Sequence, residues 1–272
     1  MLAIIFGIIV GLSLGLTGGG GSIFAVPLLI YGLGIKTGDA TIISLATVAI
    51  MAAVGAAGAL RAGLVELRVA FLFIAGGMLA APAGIKLNQQ VDEVFIINGF
   101  AILMCCVALY MWYKASRSPE SSRVVRSDFV DGSNSEKFAI CQFSDHEEFK
   151  LSAPCSVVLT ISGIVSGIAS GFFGVGGGFI IVPILIFVTR MSIHRAVATS
   201  LVVITMIGLS GTVSVLLSNK ELPWLLSGLF LVGGIAGMIS GRLLAKKIAG
   251  PLLQKCFAVA MVVIAIIIFT TR

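Results

Sequence analysis

The chain has 272 residues, of which 58% are hydrophobic and 11% charged, and its formal net charge is +6. Soluble domains typically carry about 25% charged residues, so this composition excludes a soluble globular protein and indicates a polytopic membrane protein. Basic loops that face an anionic cytoplasmic leaflet explain the positive charge, which does not indicate a nucleic-acid partner.

The apolar stretches are continuous runs, and about 17–25 apolar residues suffice for a helix to cross a bilayer. The alternating pattern of a membrane β-barrel is absent from the sequence. We therefore predict an all-α fold whose first helix is retained rather than cleaved as a signal peptide, because no basic region precedes it. In chain order the apolar segments are 1–33, 39–60, 67–86, 94–113, 151–189, 195–217, 223–244 and 251–270.

The chain looks duplicated, with four apolar segments on either side of a polar stretch. With an offset of 156 residues, 15–30 and 171–186 are identical at 8 of 16 positions, including a shared Val-Pro pair. Internal duplication is a common way to build secondary transporters. The sequence therefore predicts a first transmembrane repeat at 1–113, a polar cytoplasmic linker at 114–150 and a second transmembrane repeat at 151–272.

Each repeat opens with a segment that contains a glycine cluster, GLTGGGGSIFAVPLL from Gly15 and GFFGVGGGFIIVPIL from Gly171. As one helix, the 39 residues of 151–189 would be about 58 Å long, roughly twice the hydrocarbon core of a bilayer. The segment must therefore break. We predict a span, a break at the glycines and a half-helix in both repeats.

The direction of the half-helix decides the topology. If it returns to the face from which the chain entered, the two repeats are inverted, and Lys plus Arg divide 14 to 4 between the two sides. If the segment crosses once, the repeats are parallel and the division is 10 to 8. The positive-inside rule favours the inverted arrangement, with the linker in the cytoplasm and both termini outside.

The glycine clusters have the properties of an anion site. Irregular backbone at membrane depth must be buried or line a watery cavity. A half-helix that begins at the midplane directs free N–H groups and the positive end of its dipole inward, and glycine lets an oxyanion approach closely. Nearby hydroxyl groups either bind substrate or bond to their own helices. The candidate substrate-binding residues are Gly18, Gly19, Gly20, Gly21, Ser22, Ser44, Gly176, Gly177, Gly178, Thr199 and Ser200, with Arg195 as a candidate anion anchor.

Close helix packing is the alternative explanation of the glycines, because small residues four apart let membrane helices approach each other. We assign this role to Gly163, Gly167 and Gly171, and to Gly237 and Gly241. Consecutive glycines exceed what such packing needs, which favours binding for the two clusters.

The sequence carries no catalytic constellation. Paired histidines at metal-binding spacing, a G-x-S-x-G elbow and a Walker lysine are all missing. The GVGGG string lacks the preceding strand and the following acidic residue of a dinucleotide loop. We therefore expect no enzyme activity, no cofactor and no metal. An anion channel with re-entrant glycine loops is the alternative to a carrier.

The two glycine motifs, the second followed by AVATSL, resemble those of the TauE/SafE family of sulfite and organosulfur-compound exporters. The resemblance covers the whole chain outside the linker. It implies a carrier that exports small sulfur anions, such as sulfite, sulfoacetate or other organosulfonates, across the plasma membrane, with coupling to a proton or another ion. The first copy departs from the second, with Ser22 where the second has Gly178 and ATIISL in place of AVATSL.

Overall fold

The computed structural model describes residues 1–117, 153–189, 193–217 and 223–245, together with 191, 259, 262 and 263. This part of the chain is helical and contains no β-strand. Five of its helices are long and apolar enough to cross a membrane, which confirms the predicted all-α polytopic fold. The helices in chain order are α1 (Leu2–Thr17), α2 (Gly20–Gly32), α3 (Thr37–Arg61), α4 (Leu67–Gln90), α5 (Glu93–Arg117), α6 (Ala153–Phe173), α7 (Gly178–Thr189), α8 (Ile193–Leu217) and α9 (Trp224–Ala245).

The predicted linker, 114–150, begins within the last turn of α5 and otherwise lies outside the described residues. The same holds for most of the last predicted segment, 251–270. The division of the chain into two repeats and a linker therefore stays a prediction.

Both opening segments break where glycine permits a left-handed turn. α1 has 16 residues, a length of about 24 Å, which is shorter than the hydrocarbon core. It ends at Gly18, whose φ is 70° and whose N–H donates to the carbonyl of Leu14 at 2.7 Å. α6 ends in the same way at Gly174, with a φ of 70° and a 2.9 Å bond to the carbonyl of Ser170. Glycine adopts this conformation at little cost, so the helices end at the predicted clusters.

After the first break the chain turns back along the helix it has just left. Gly21, at the start of α2, lies directly against the backbone of Leu14 in α1. Gly32, at the end of α2, lies against the ring of Phe6, near the beginning of α1. α2 is therefore antiparallel to α1 and does not continue its path.

The two half-helices differ in regularity. α7 is a continuous helix of 12 residues with Pro183 inside it. α2 instead consists of a 3-10 turn at Gly20–Phe24, an α-helical turn at Ala25–Pro27 and a wider π turn at Leu28–Gly32. Proline removes one backbone donor, and α2 changes its helix type directly after Pro27.

α1 packs along α9, and the two helices run in the same direction. A Cβ built on Gly237 would overlap the carbonyl oxygen of Ile8, and a Cβ built on Gly241 would lie 2.5 Å from that of Leu12. No side chain fits between helices at this distance, so the predicted packing role of these two glycines is confirmed.

α4 and α6 form an equivalent parallel pair. A Cβ built on Gly163 would overlap the carbonyl oxygen of Phe73, and one built on Gly171 would overlap that of Ala81. Gly167, one turn from each, makes the same close approach to α4. The packing prediction is confirmed here too, and each pair joins a helix of the first half to a helix of the second.

α3 and α8 pack against each other in opposite directions. Gly211, near the end of α8, faces the side chain of Leu45 in the first half of α3. Gly55, near the end of α3, faces Leu201 in the first half of α8, and a Cβ there would lie 3.1 Å from its Cδ1 atom. The two helices that occupy equivalent positions in the predicted repeats are thus antiparallel neighbours.

Candidate functional site

Two glycine loops meet inside the helix bundle. The first glycine loop is 18–22 and the second glycine loop is 174–178. A Cβ built on Gly19 would lie 2.5 Å from the carbonyl oxygen of Gly178, and one built on Gly178 would lie 2.8 Å from the Cα atom of Gly19. The two glycines meet backbone to backbone, with the side chain of Ile204 also against Gly178, so the absence of their own side chains is what lets the two loops touch.

Polar groups of the first glycine loop pair with other protein groups. The Ser200 hydroxyl donates to the carbonyl of Gly18 at 2.7 Å, and the Ser22 hydroxyl donates to the carbonyl of Gly19 at 2.7 Å. Ser22 and Ser200 are fully buried, whereas Gly20 is half-buried. The structure thus brings Ser200 to the first glycine loop, where its hydroxyl holds the turn that ends α1.

The second glycine loop has a different backbone. Gly174, Gly176 and Gly177 have φ values of 70°, 71° and 67°. The carbonyl of Gly177 accepts the N–H groups of Ile180 and Ile181 at 3.0 and 3.1 Å and so closes the first turn of α7. The N–H groups that begin a helix have no acceptor within it, and those of α7 are presented at the loop.

Two positions of the second glycine loop, Gly176 and Gly177, are less confined than Gly21 in the first. Gly21 lies so close to Leu14 that a Cβ would overlap the backbone of α1. At the equivalent Gly177, the nearest atom to a Cβ would be the carbonyl oxygen of Ser166 at 2.9 Å. At Gly176 the nearest atoms would be two methyl groups at 3.2 Å. Packing thus accounts for glycine at position 21, whereas positions 176 and 177 are less confined.

Ser44, on α3, lies beside the second glycine loop. Thr41, one turn before it on the same helix face, packs against Gly174. Ser44 is fully buried, and its hydroxyl has no hydrogen-bond partner among the described residues. Its equivalent in the other half, Ser200, is bonded to the first loop. The two serines therefore occupy matching positions and have different bonding.

Thr199 and Arg195 lie where α8 begins, at the connection between α3 and α4. The Thr199 hydroxyl accepts the backbone N–H of Glu66 at 3.1 Å, and the Arg195 guanidinium pairs with the Glu66 carboxylate at 2.5 Å. The Arg195 side chain is 45% exposed. Sequence reasoning did not identify Glu66, because an acidic residue at a helix start carries no sign of its partner in the other half.

Sequence reasoning also missed Ser166 and Ser170 on α6. Both are fully buried, and neither hydroxyl has a partner among the described residues. They lie in the string GIVSGIASG, which we assigned to helix packing by its glycines. Each serine immediately precedes a glycine, so the serines share a face turned about 100° from the glycine face. That four-residue spacing was the available signal.

The electrostatics of the bundle interior come from dipoles and hydroxyl groups. Among the described residues, the buried polar side chains are serines, threonines and Asn88. None of these groups ionises in the physiological range. The same part of the chain contains no cluster of His, Cys, Asp and Glu that could hold a metal ion.

A shallow apolar pocket lies outside the loop contact, between α2 and the first half of α5. Its walls include Pro27, Tyr31 and Phe100, and its hydroxyl groups belong to Tyr31 and Thr37. The N–H and hydroxyl of Thr37 both donate to the carboxylate of Glu93. The glycine loops do not line this pocket, which offers little to an anion.

A profile of the sulfite exporter TauE/SafE family matches residues 3–268. Two proteins of Xylella fastidiosa, from strains Temecula1 and 9a5c, are each 33% identical over 264 residues, which cover 95% of this chain and 90% of theirs. Both are described as probable membrane transporter proteins.

A probable membrane transporter protein of Methanocaldococcus jannaschii, MJ0441, is 41% identical over 61 residues, 22% of each chain. No solved structure matches the chain at a significant level. The family match spans nearly the whole chain, and the fold is that of a multi-pass membrane protein. The chain belongs to the sulfite exporter TauE/SafE family and is a membrane transporter.

Proposed function

We propose that the protein is a secondary transporter that exports small sulfur-containing anions, such as sulfite, sulfoacetate or other organosulfonates, across the plasma membrane. The observation that carries the proposal is the meeting of two glycine loops inside the bundle, with Gly19 against Gly178. The family match supports the substrate class, since the family is described as sulfite exporters.

The anion is held where the loops meet, by backbone N–H groups and hydroxyls rather than by charged side chains. A helix N-terminus carries the equivalent of about half a positive charge, and the N-terminus of α7 faces this region. Donors without buried acidic groups favour an anion over a cation. Because none of the buried polar side chains of the described residues ionises in the physiological range, binding follows the ionisation of the ligand.

The two repeats are inverted relative to each other, with the linker in the cytoplasm and both termini outside. Two structural observations support this arrangement: α2 returns along α1, and α3 is antiparallel to its equivalent, α8. A chain that crossed once at each opening segment would give a parallel α3–α8 pair. Inverted repeats around a central site are a common basis of alternating access.

Cysteine labelling tests the topology. A cysteine introduced into the linker, in a background cleared of native cysteines, is expected to resist an impermeant thiol reagent in whole cells and to react after the membrane is permeabilised. Rapid labelling in intact cells would contradict the inverted arrangement with a cytoplasmic linker.

Transport in proteoliposomes tests the function. The panel is sulfite, sulfoacetate, taurine, thiosulfate and sulfate, each measured with and without a pH gradient. We expect saturable flux of at least one sulfur anion, competition among sulfite and small sulfonates, and no flux of ammonium compounds that lack an acidic group. Flux that rises linearly with concentration and ignores gradients would indicate a channel, and no sulfur-anion flux would overturn the proposed substrate class.

A further inference from the structure

We propose that the anion binds to one of the two loops only: the second glycine loop, together with the hydroxyls of Ser44, Ser166 and Ser170. The ligand class is a small anion with three oxygens on one centre, such as sulfite or a sulfonate. This inference rests on the proposed function and deepens it, because it assigns recognition to one half of the molecule.

The first observation is a pair of buried hydroxyls without partners. Ser166 and Ser170 are both 0% exposed, and their Oγ atoms have no hydrogen-bond partner among the described residues. A buried hydroxyl that forms no hydrogen bond is destabilising. Two of them on adjacent turns of one helix indicate a partner that arrives and leaves, as a transported substrate does.

The position of these serines directs them to the second glycine loop. They are four residues apart and so share one face of α6. A Cβ built on Gly177 would lie 2.9 Å from the carbonyl oxygen of Ser166 and 3.3 Å from the Cβ atom of Ser170. The serine face of α6 therefore forms a wall beside the beginning of α7.

The equivalent wall in the first half carries no donor. With the 156-residue offset, Ser166 corresponds to Val10 and Ser170 to Leu14, and both apolar side chains are fully buried. Gly21 lies directly against the backbone of Leu14. The first glycine loop is thus backed by hydrocarbon at close range, and the hydroxyls beside it, those of Thr17, Ser22 and Ser200, are already paired with protein groups.

Ser44, on α3, supplies a third hydroxyl near the second glycine loop. It is 0% exposed and has no partner among the described residues. Thr41, which shares its helix face, contacts Gly174. The hydroxyl of its equivalent, Ser200, is already paired, with the carbonyls of Gly18 at 2.7 Å and Val197 at 2.8 Å. All three buried hydroxyls assigned here therefore belong to the second loop's surroundings.

The chemistry of these groups matches an oxyanion. Each serine can donate one hydrogen bond, and α7 is a 12-residue helix whose first N–H groups have no acceptor within the helix. Three hydroxyl donors on α3 and α6, together with the N–H donors at the start of α7, suit an anion with three oxygens. The positive φ values of Gly176 and Gly177 keep side chains out of the loop.

The test uses the full-length protein, purified and reconstituted in nanodiscs, with Ser166→Ala/Ser170→Ala as the variant. Affinity is measured from the rise in melting temperature as anion is added. The panel is sulfite, methanesulfonate, sulfoacetate, nitrate and acetate. We expect the variant to melt at a higher temperature than wild type without anion, and to need at least about tenfold more anion for half the effect.

The matched control is Thr160→Val, on the same helix. The Thr160 hydroxyl donates to the carbonyl of Ser156, a group of its own helix, at 2.9 Å. This variant should keep wild-type affinity. Ser44→Ala, made separately, should weaken binding in the same direction as the double variant.

The outcomes separate the site from the function. Wild-type affinity in Ser166→Ala/Ser170→Ala for a sulfur anion overturns this inference and leaves the proposed function intact. If wild type binds only nitrate or acetate and the double variant loses that binding, the site is supported and the sulfur-anion function is overturned. A wild-type protein that binds no anion of the panel overturns both.

Discussion

The two glycine loops have similar amino-acid sequences and different structures. The first turns once through a positive φ, at Gly18, and then packs tightly, with its serine bonded to its own backbone. The second has three glycines with positive φ and lies beside buried hydroxyls that have no partner among the described residues. The first glycine loop is therefore closely packed and internally bonded, and the second is the one to which we propose that the anion binds.

This difference shows that a glycine motif does not have a single meaning. At Gly21 the backbone of α1 leaves no space for a side chain, so close packing alone explains the residue. At Gly176 the nearest neighbours are methyl groups at 3.2 Å, and the backbone conformation is the main reason for glycine. An internal duplication can keep the frame of both copies while only one retains the polar groups that recognise a ligand.

The largest expected effect is a difference in folding stability between a substitution in the first glycine loop and one in the second. Gly21→Ala should lose most of the folded protein, because the new Cβ overlaps backbone that cannot move aside. Overpacking typically costs about 1–3 kcal/mol and occasionally more, and we expect this variant at the upper end. Gly176→Ala should fold with a loss of about 1–2 kcal/mol from its positive φ. Size-exclusion profiles and melting temperatures measure both.

Gly38→Ala is the control for these variants. Nothing lies within 4 Å of the position that its Cβ would occupy, so this variant should match wild type or exceed it slightly. If Gly21→Ala were as stable as Gly38→Ala, the first glycine loop would not be packed as closely against α1 as we describe.

The next effect is on transport. Gly177→Val should lower transport by at least about tenfold while the protein still inserts, because the side chain fills the second glycine loop and strains a φ of 67°. Gly38→Val is its matched control in open space and should transport normally. Wild-type transport by Gly177→Val would count decisively against an anion at this loop.

A smaller effect is expected at the mouth of α8. Arg195→Gln should leave anion affinity within about threefold of wild type, because the guanidinium is already paired with Glu66 and partly exposed. Such exposed pairs contribute about 0–1 kcal/mol to stability. Glu66→Gln, which breaks the same pair, should behave alike. Abolished binding in Arg195→Gln with normal binding in Glu66→Gln would move the anion site to the helix mouth.

The coarse fold could be predicted from the sequence because bilayer thickness and helix rise leave little choice. A segment of 39 apolar residues cannot be one transmembrane helix, and glycine is the residue at which a helix most readily ends. Gly18 and Gly174 end their helices as expected. The packing role of the glycines spaced four apart also followed from sequence, because small residues matter wherever two helices approach.

The pairing of helices between the two halves could not be predicted. Nothing in the sequence of α1 indicates that its partner is α9, since both surfaces are equally apolar and the contact lies more than 200 residues along the chain. The sequence also does not show which of the buried serine hydroxyls form hydrogen bonds. Ser44 and Ser200 occupy equivalent positions in similar strings, yet the Ser200 hydroxyl has the carbonyls of Gly18 and Val197 as acceptors, whereas the Ser44 hydroxyl has no partner among the described residues.

The smallest expected effect is a difference in sign between those two serines. Ser200→Ala removes the donor to the buried carbonyl of Gly18 and should lower the free energy of unfolding by about 1 kcal/mol. Ser44→Ala removes a buried hydroxyl that has no partner among the described residues and should raise it by a similar amount. For a chain of this size, each change corresponds to a shift of about 2–4 °C in melting temperature.

The measurement is made without anion, since an occupied site would supply Ser44 with the acceptor it lacks and would reverse the sign of the effect of Ser44→Ala on stability. Equal losses of stability in both variants would mean that Ser44 is bonded after all, and that the two halves are alike where we infer that they differ.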